Sequence, residues 1–66
     1  MSILKVIEVL SESSESWEDA TAKGVVKAST SVSHVKSAFV QNQSVTVKDG
    51  EVDKYRVNLK ITFEVK

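Results

Sequence analysis

From Tyr55 to Val65 the chain alternates without a break, apolar at every odd position and polar at every even one: Tyr-Arg-Val-Asn-Leu-Lys-Ile-Thr-Phe-Glu-Val. A period of two marks a β-strand with one buried and one solvated face, and the β-branched and aromatic residues on the odd side favour it further. Ile3 to Leu10 is patterned differently. Only Lys5 and Glu8 interrupt its apolar residues, which predicts a strand that is apolar on both sides. In so short a chain only one of those sides can be covered, a hint that the other is buried against a neighbouring subunit.

The polar run Ser11 to Ser16 separates this strand from a segment with helical spacing. Serine side chains accept hydrogen bonds from the unpaired amides of a first helical turn, and Glu15, Glu18 and Asp19 suit the positive end of the helix dipole. The predicted N-cap is Ser13 or Ser14, with the helix running to about Thr30. Trp17, Ala20 or Thr21, Gly24, Val25, Ala28 and Val32 form its apolar stripe. Ala20, Gly24 and Ala28 in the middle let the axis sit close on a sheet. Gly24 costs the helix about 1 kcal/mol relative to alanine, so a packing reason for it is expected.

A second strand is predicted from about Val35. Ala38 and Val40 share one parity while Val45 and Val47 have the other, and a strand changes its apolar parity through a bulge or a sharp coil. Lys48-Asp49-Gly50-Glu51 then reads as a tight hairpin turn, since Asp-Gly tolerates positive φ. The order is β-α-β-β. A helical crossover makes the outer strands parallel, and the hairpin places the last strand between them. The expected class is α+β: a three-stranded sheet of order 1-3-2, its last strand antiparallel to both neighbours, wrapped on one helix. The even face, carrying Arg56, Asn58, Lys60, Thr62 and Glu64, is left over.

Sixty-six residues make one domain, spanning 1–66, and a chain of this size buries only roughly 60% of its unfolded surface. Small domains make up the deficit with disulfides, a structural metal or association. There is no cysteine and a single histidine, so association is the expected route. Nine basic and nine acidic residues cancel, which speaks against a nucleic-acid partner. No apolar run is long enough for a membrane span, and the opening residues lack a signal-peptide core. The expected location is the cytoplasm.

Taken together, Lys5-Val6-Ile7-Glu8, Ser13 to Trp17, the valine-rich second strand with Asn42-Gln43, and Tyr55-Arg56-Val57 through Phe63-Glu64 resemble the dodecins over nearly the whole chain. The resemblance implies a homododecamer, hollow, of cubic symmetry, with helices outside. It also implies flavin (FMN, riboflavin or FAD), bound in pairs between tryptophans of symmetry-related subunits beside a glutamine. Counting from Gln43, the tryptophan position is Ser37 here, and the glutamine position is Arg56. Parity puts both on the sheet face away from the helix. Serine supplies no ring, although Phe39 lies two residues along the same face, about 7 Å away, where it either stands in as a platform or packs in a subunit interface. Arg56 could hold a phosphate or carboxylate in bidentate fashion, or form an inter-subunit ion pair with a glutamate. The candidate ligand-binding set is Ser37, Phe39, Gln43 and Arg56.

Ser16-Trp17-Glu18 and Tyr55-Arg56 are closer to a branch of the family that lacks the tryptophan, the calcium dodecins. Calcium takes six to eight oxygens. Asp49 to Asp53 reads as a turn rather than an EF-hand loop, so an ion would gather carboxylates from several subunits, and its ligands stay unassigned. His34 reads as a helix-exit residue and Trp17 as a packing anchor. The serines read as caps and helix breakers, since no nucleophile elbow surrounds any of them. The expected protein is not an enzyme. It is a homo-oligomeric store for a small ligand, ancestrally a flavin, or alternatively a shell that binds calcium or another ion at subunit interfaces.

Overall fold

The computed structural model describes residues 2–66. Strand β1 (Ile3–Ser13) leads into helix α1 (Trp17–Ser31), followed by β2 (Val35–Lys48) and β3 (Glu51–Val65). The sheet has the order β1-β3-β2, with β3 antiparallel to both neighbours. Asp49 and Gly50, at φ 53° and 77°, make the two-residue hairpin turn that Asp-Gly predicts.

The odd residues of β3 face the helix. Val57, Leu59 and Ile61 are completely buried beneath Ala20, Gly24 and Ala28, while Ile7, Val9, Trp17, Val25 and Val35 pack around them. Gly24 has the packing reason that its position demands. A β-carbon there would lie 2.7 Å from Leu59 Cδ1 and 3.2 Å from Ser11 Cβ, so only a glycine lets the axis approach this closely without displacing its neighbours.

Along β2 the parity switch is a register slip. Val40 pairs with Leu59 and Asn42 with Asn58, so Gln41 is an extra residue and Val45, opposite Tyr55, returns to the same side as Val40. The change of parity in sequence therefore preserves one apolar face in space.

At its start the helix departs from expectation. Strand β1 continues past Leu10 to Ser13, which lies opposite Tyr55, and the N-cap is Ser16, whose hydroxyl accepts the Asp19 N–H at 2.9 Å. Ser13 is claimed by the connection instead. Its buried hydroxyl donates to Asp19 Oδ2 at 2.6 Å and accepts the Glu15 N–H at 2.9 Å. At the other end Val32 caps the helix through its N–H to the Ala28 carbonyl. His34 lies beyond the helix, in left-handed backbone at φ 61°, and its carbonyl accepts the Glu64 N–H at 3.0 Å. It belongs to the α1–β2 connection, not to the last helical turn. Among the described residues, no helix is long and apolar enough to cross a membrane.

Candidate functional site

Residues directly opposite each other in an antiparallel ladder share a face, so the register assigns every candidate. Ser37 lies opposite Thr62, Phe39 opposite Lys60 and Ser44 opposite Arg56. Ser37, Phe39 and Arg56 therefore share the even face, away from the helix. Gln43 does not join them. It lies opposite Val57, on the helix side, because the extra residue at Gln41 reverses the alternation that Ser37 and Phe39 establish.

The three that share a face are not neighbours. Arg56 and Thr62 are six positions apart on β3, a distance of roughly 20 Å at the rise of a strand, and Ser37 sits beside Thr62. One copy thus spreads these candidates along a strand rather than gathering them in a closed pocket. A hollow of about 430 Å³ does exist near the C-terminal end of β3, lined by residues that include Lys5, His34, Phe63 and Lys66. None of the four candidates lines it.

Much of the uncovered face is apolar. Leu4, Val6 and Leu10 of β1, opposite Glu64, Thr62 and Asn58, are 54%, 55% and 64% exposed, and the Phe39 ring residue is 65% exposed. Phe39 is the one aromatic residue on this side, since Tyr55 and Phe63 have the parity of the buried face and Trp17 is on the helix. Trp17 meets Tyr55 edge-on with ring centroids 5.1 Å apart. Its indole N–H donates to the Ser44 carbonyl at 2.9 Å, which fastens the helix start to the central part of β2.

Arg56 is already engaged within its own chain. Nε and Nη2 both donate to Glu12 Oε2, at 2.8 and 2.5 Å, and the two side chains are 44% and 34% exposed. Glu12 sits directly opposite Arg56 across the β1·β3 ladder. A second carboxylate, Glu8, accepts from Asn58 Nδ2 at 3.4 Å. Reading Ile3 to Leu10 as the whole strand hides Glu12, whereas continuing its alternation to Ser13 places that residue on the Arg56 side. At the far end of the face, Lys66 and Lys36 approach Glu64 Oε1 at 3.3 and 3.6 Å. Hydrogen bonding from Lys66, then from Ser2, with the nearby Lys36 charge, holds the Glu64 carboxyl below its ordinary value.

These residues match the two implied ligands unequally. Ser37 has no ring, so a flavin pair stacked on aromatic residues at that position does not fit; Phe39 is the remaining platform. For a metal, no group of three or more His, Cys, Asp or Glu side chains comes together among the described residues of one copy. Six to eight oxygens would have to come from more than one chain.

A family model described as Dodecin matches residues 3–66. Among curated proteins, a calcium dodecin of Mycobacterium tuberculosis is 35% identical over 66 residues, covering all of this chain and 93% of that protein. A crystal structure of calcium dodecin from the same organism, described as calcium-chelating and as having a novel calcium-binding site, superposes with a TM-score of 0.86 at 35% identity, covering 98% of this chain and 93% of that one. A dodecin from Streptomyces davaonensis has the same fold at a TM-score of 0.94 with 20% identity, over 98% of this chain and 96% of that one.

Proposed function

The chain belongs to the dodecin family, and we propose that it forms a homododecameric shell that stores a small ligand in the seams between copies. The observation that carries this reading is the uncovered face: Leu4, Val6, Leu10 and Phe39 remain more than half exposed beside Ser37 and Arg56. Apolar area of that kind, in a chain too small to cover it, is removed from water by a second copy. Side chains roughly 20 Å apart on one strand then join those of neighbours to form a site. The role is binding rather than catalysis, in the cytoplasm, with no nucleic-acid or membrane partner.

The family's flavin site is altered in this chain, with Ser37 at the stacking position and Arg56 at the glutamine position, and Phe39 offers the ring contact that Ser37 lacks. A second reading, in which the shell holds calcium between carboxylates of several copies, draws on the 35% identical relative named for that ion. Native mass spectrometry at low protein concentration tests the common premise. The expected result is a twelve-subunit mass, and a stable monomer overturns the reading. On the assembled protein, quenching of the fluorescence of riboflavin or of its 5′-phosphate at micromolar concentration supports the flavin class, and an unchanged signal with both rejects it. Calorimetry with calcium on metal-stripped protein decides the ion reading in the same manner, where absence of heat removes it.

A further inference from the structure

The Glu12–Arg56 pair sets a condition on any ligand that uses this face. A guanidinium recognises phosphate or carboxylate best through two parallel N–H donors, and in this chain the Nε and Nη2 donors of Arg56 both end on Glu12 Oε2. The occupied edge is one of the two a phosphate would fork onto. An incoming oxyanion also finds a carboxylate beside the same cation, where two like charges repel. A ligand presenting an uncharged edge meets no such repulsion, and one with its own N–H donors finds an acceptor in Glu12 Oε1, which takes no hydrogen bond among the described residues, while Oε2 takes both from the arginine.

We infer that Glu12 is a specificity-determining residue: an internal anion seated on Arg56 that disfavours phosphate- and carboxylate-bearing ligands on the uncovered face and favours uncharged ones. The inference rests on the reading of that face as the ligand-bearing one. It differs from an inter-subunit ion pair at Arg56, because the carboxylate comes from the neighbouring strand of the same chain and is in place before any copy docks. The arrangement follows from β1 running to Ser13. Had the strand stopped at Leu10, Glu12 would not stand in register with Arg56.

Arg56 is the sole arginine in the chain, so its Nε–H gives a single side-chain signal in a ¹H–¹⁵N correlation spectrum. Inorganic phosphate is titrated at constant ionic strength into the assembled wild-type protein, Glu12→Gln and Glu12→Asp. The expected result is a saturable shift of that signal with an apparent affinity roughly two- to fivefold higher in Glu12→Gln, the scale that one exposed ion pair represents. Glu12→Asp, which keeps the charge but withdraws it by one methylene, falls between. Equal affinities in all three proteins overturn the inference, and so does a Glu12→Gln signal that does not respond. Backbone amide dispersion confirms that each variant is folded. The native mass of the same samples reports separately on assembly, so failure of the shell reading and failure of the Glu12 reading give different results.

Discussion

The two faces of this sheet are made from alternate residues of the same strands, yet the chain finishes one and leaves the other open. On the helix side, Val57, Leu59 and Ile61 have no exposed surface. On the opposite side, Val6 and Leu10 of the adjacent strand are no less hydrophobic and are more than half exposed. What separates them is cover. The single helix presents Ala20, Gly24 and Ala28 to one face, and among the described residues no element remains for the other. Hydrophobicity marks which residues seek burial, and the supply of partner elements decides which find it within one copy. In a chain of 66 residues, where net stability is only about 5–15 kcal/mol even for ordinary domains, the residues left over are the ones that a neighbouring copy would cover on the proposed reading.

The largest effect expected from breaking this contrast comes from matched truncations on the two faces. Leu59→Ala removes a completely buried side chain and should cost about 2–5 kcal/mol, seen in urea denaturation at every protein concentration. Leu10→Ala takes the same atoms from the open face. Its loss should appear in the concentration-dependent part of the stability and in the native mass, since association stabilises by mass action. If Leu10→Ala changes neither, the open face is not an interface and the contrast fails.

A smaller effect tests how closely the cover fits. In Gly24→Val the new β-carbon would meet Leu59 Cδ1 at 2.7 Å and Ser11 Cβ at 3.2 Å. Both contacts lie in the packed layer, and overpacking of this kind costs about 1–3 kcal/mol. The expected outcome is a lower urea midpoint. An unchanged midpoint in Gly24→Val would mean that the helix rides on the sheet more loosely than these distances imply.

Most of this architecture is legible in the sequence, and where it is not, the reason is a contact between distant residues. The alternation from Tyr55 to Val65 identifies β3 because its period reflects burial on one face alone. The parity change between Val40 and Val45 reveals that a residue is extra, but only the ladder shows that it is Gln41, and Gln43 changes face as a result. Ser13, Ser14 and Ser16 all have N-cap chemistry. The choice of Ser16 is made by pairing of Ser13 opposite Tyr55 and by its bond to Asp19, neither of which a local propensity can register. The Arg56 partner was hidden by the same extension of β1, 44 residues away along the chain. The site is less legible than the fold because its parts are shared out among strands and, on the proposed reading, among copies.

The smallest expected effect compares two carboxylates, one on each side of the sheet. Both Asp19 and Glu64 are held below their ordinary values of 3.8 and 4.5, so each contributes stability that is present above its unfolded value and is lost as the pH falls through its lower folded value. The Asp19 contribution is therefore complete above about pH 3.8 and declines below it, and that of Glu64 is complete above about pH 4.5 and declines below it. Their causes differ. For Asp19 the leading one is the hydrogen bond from the Ser13 hydroxyl, followed by Lys23, and Ser13 is only 5% exposed. For Glu64 the leading one is Lys66, whose side chain is 62% exposed. Salt screens an exposed ion pair far more than a hydrogen bond to a buried hydroxyl. Carboxylate titrations followed by NMR in low salt and in 0.5 M salt, about a 4 Å screening length, should return Glu64 toward 4.5 and leave much of the Asp19 depression in place. Ser13→Ala should reverse the pattern for Asp19, raising its titration midpoint and making what remains salt-sensitive through Lys23. If Asp19 responds to salt as strongly as Glu64 does, the tie between the helix start and the end of β1 is a surface ion pair, and the covered face is held down by its apolar contacts alone.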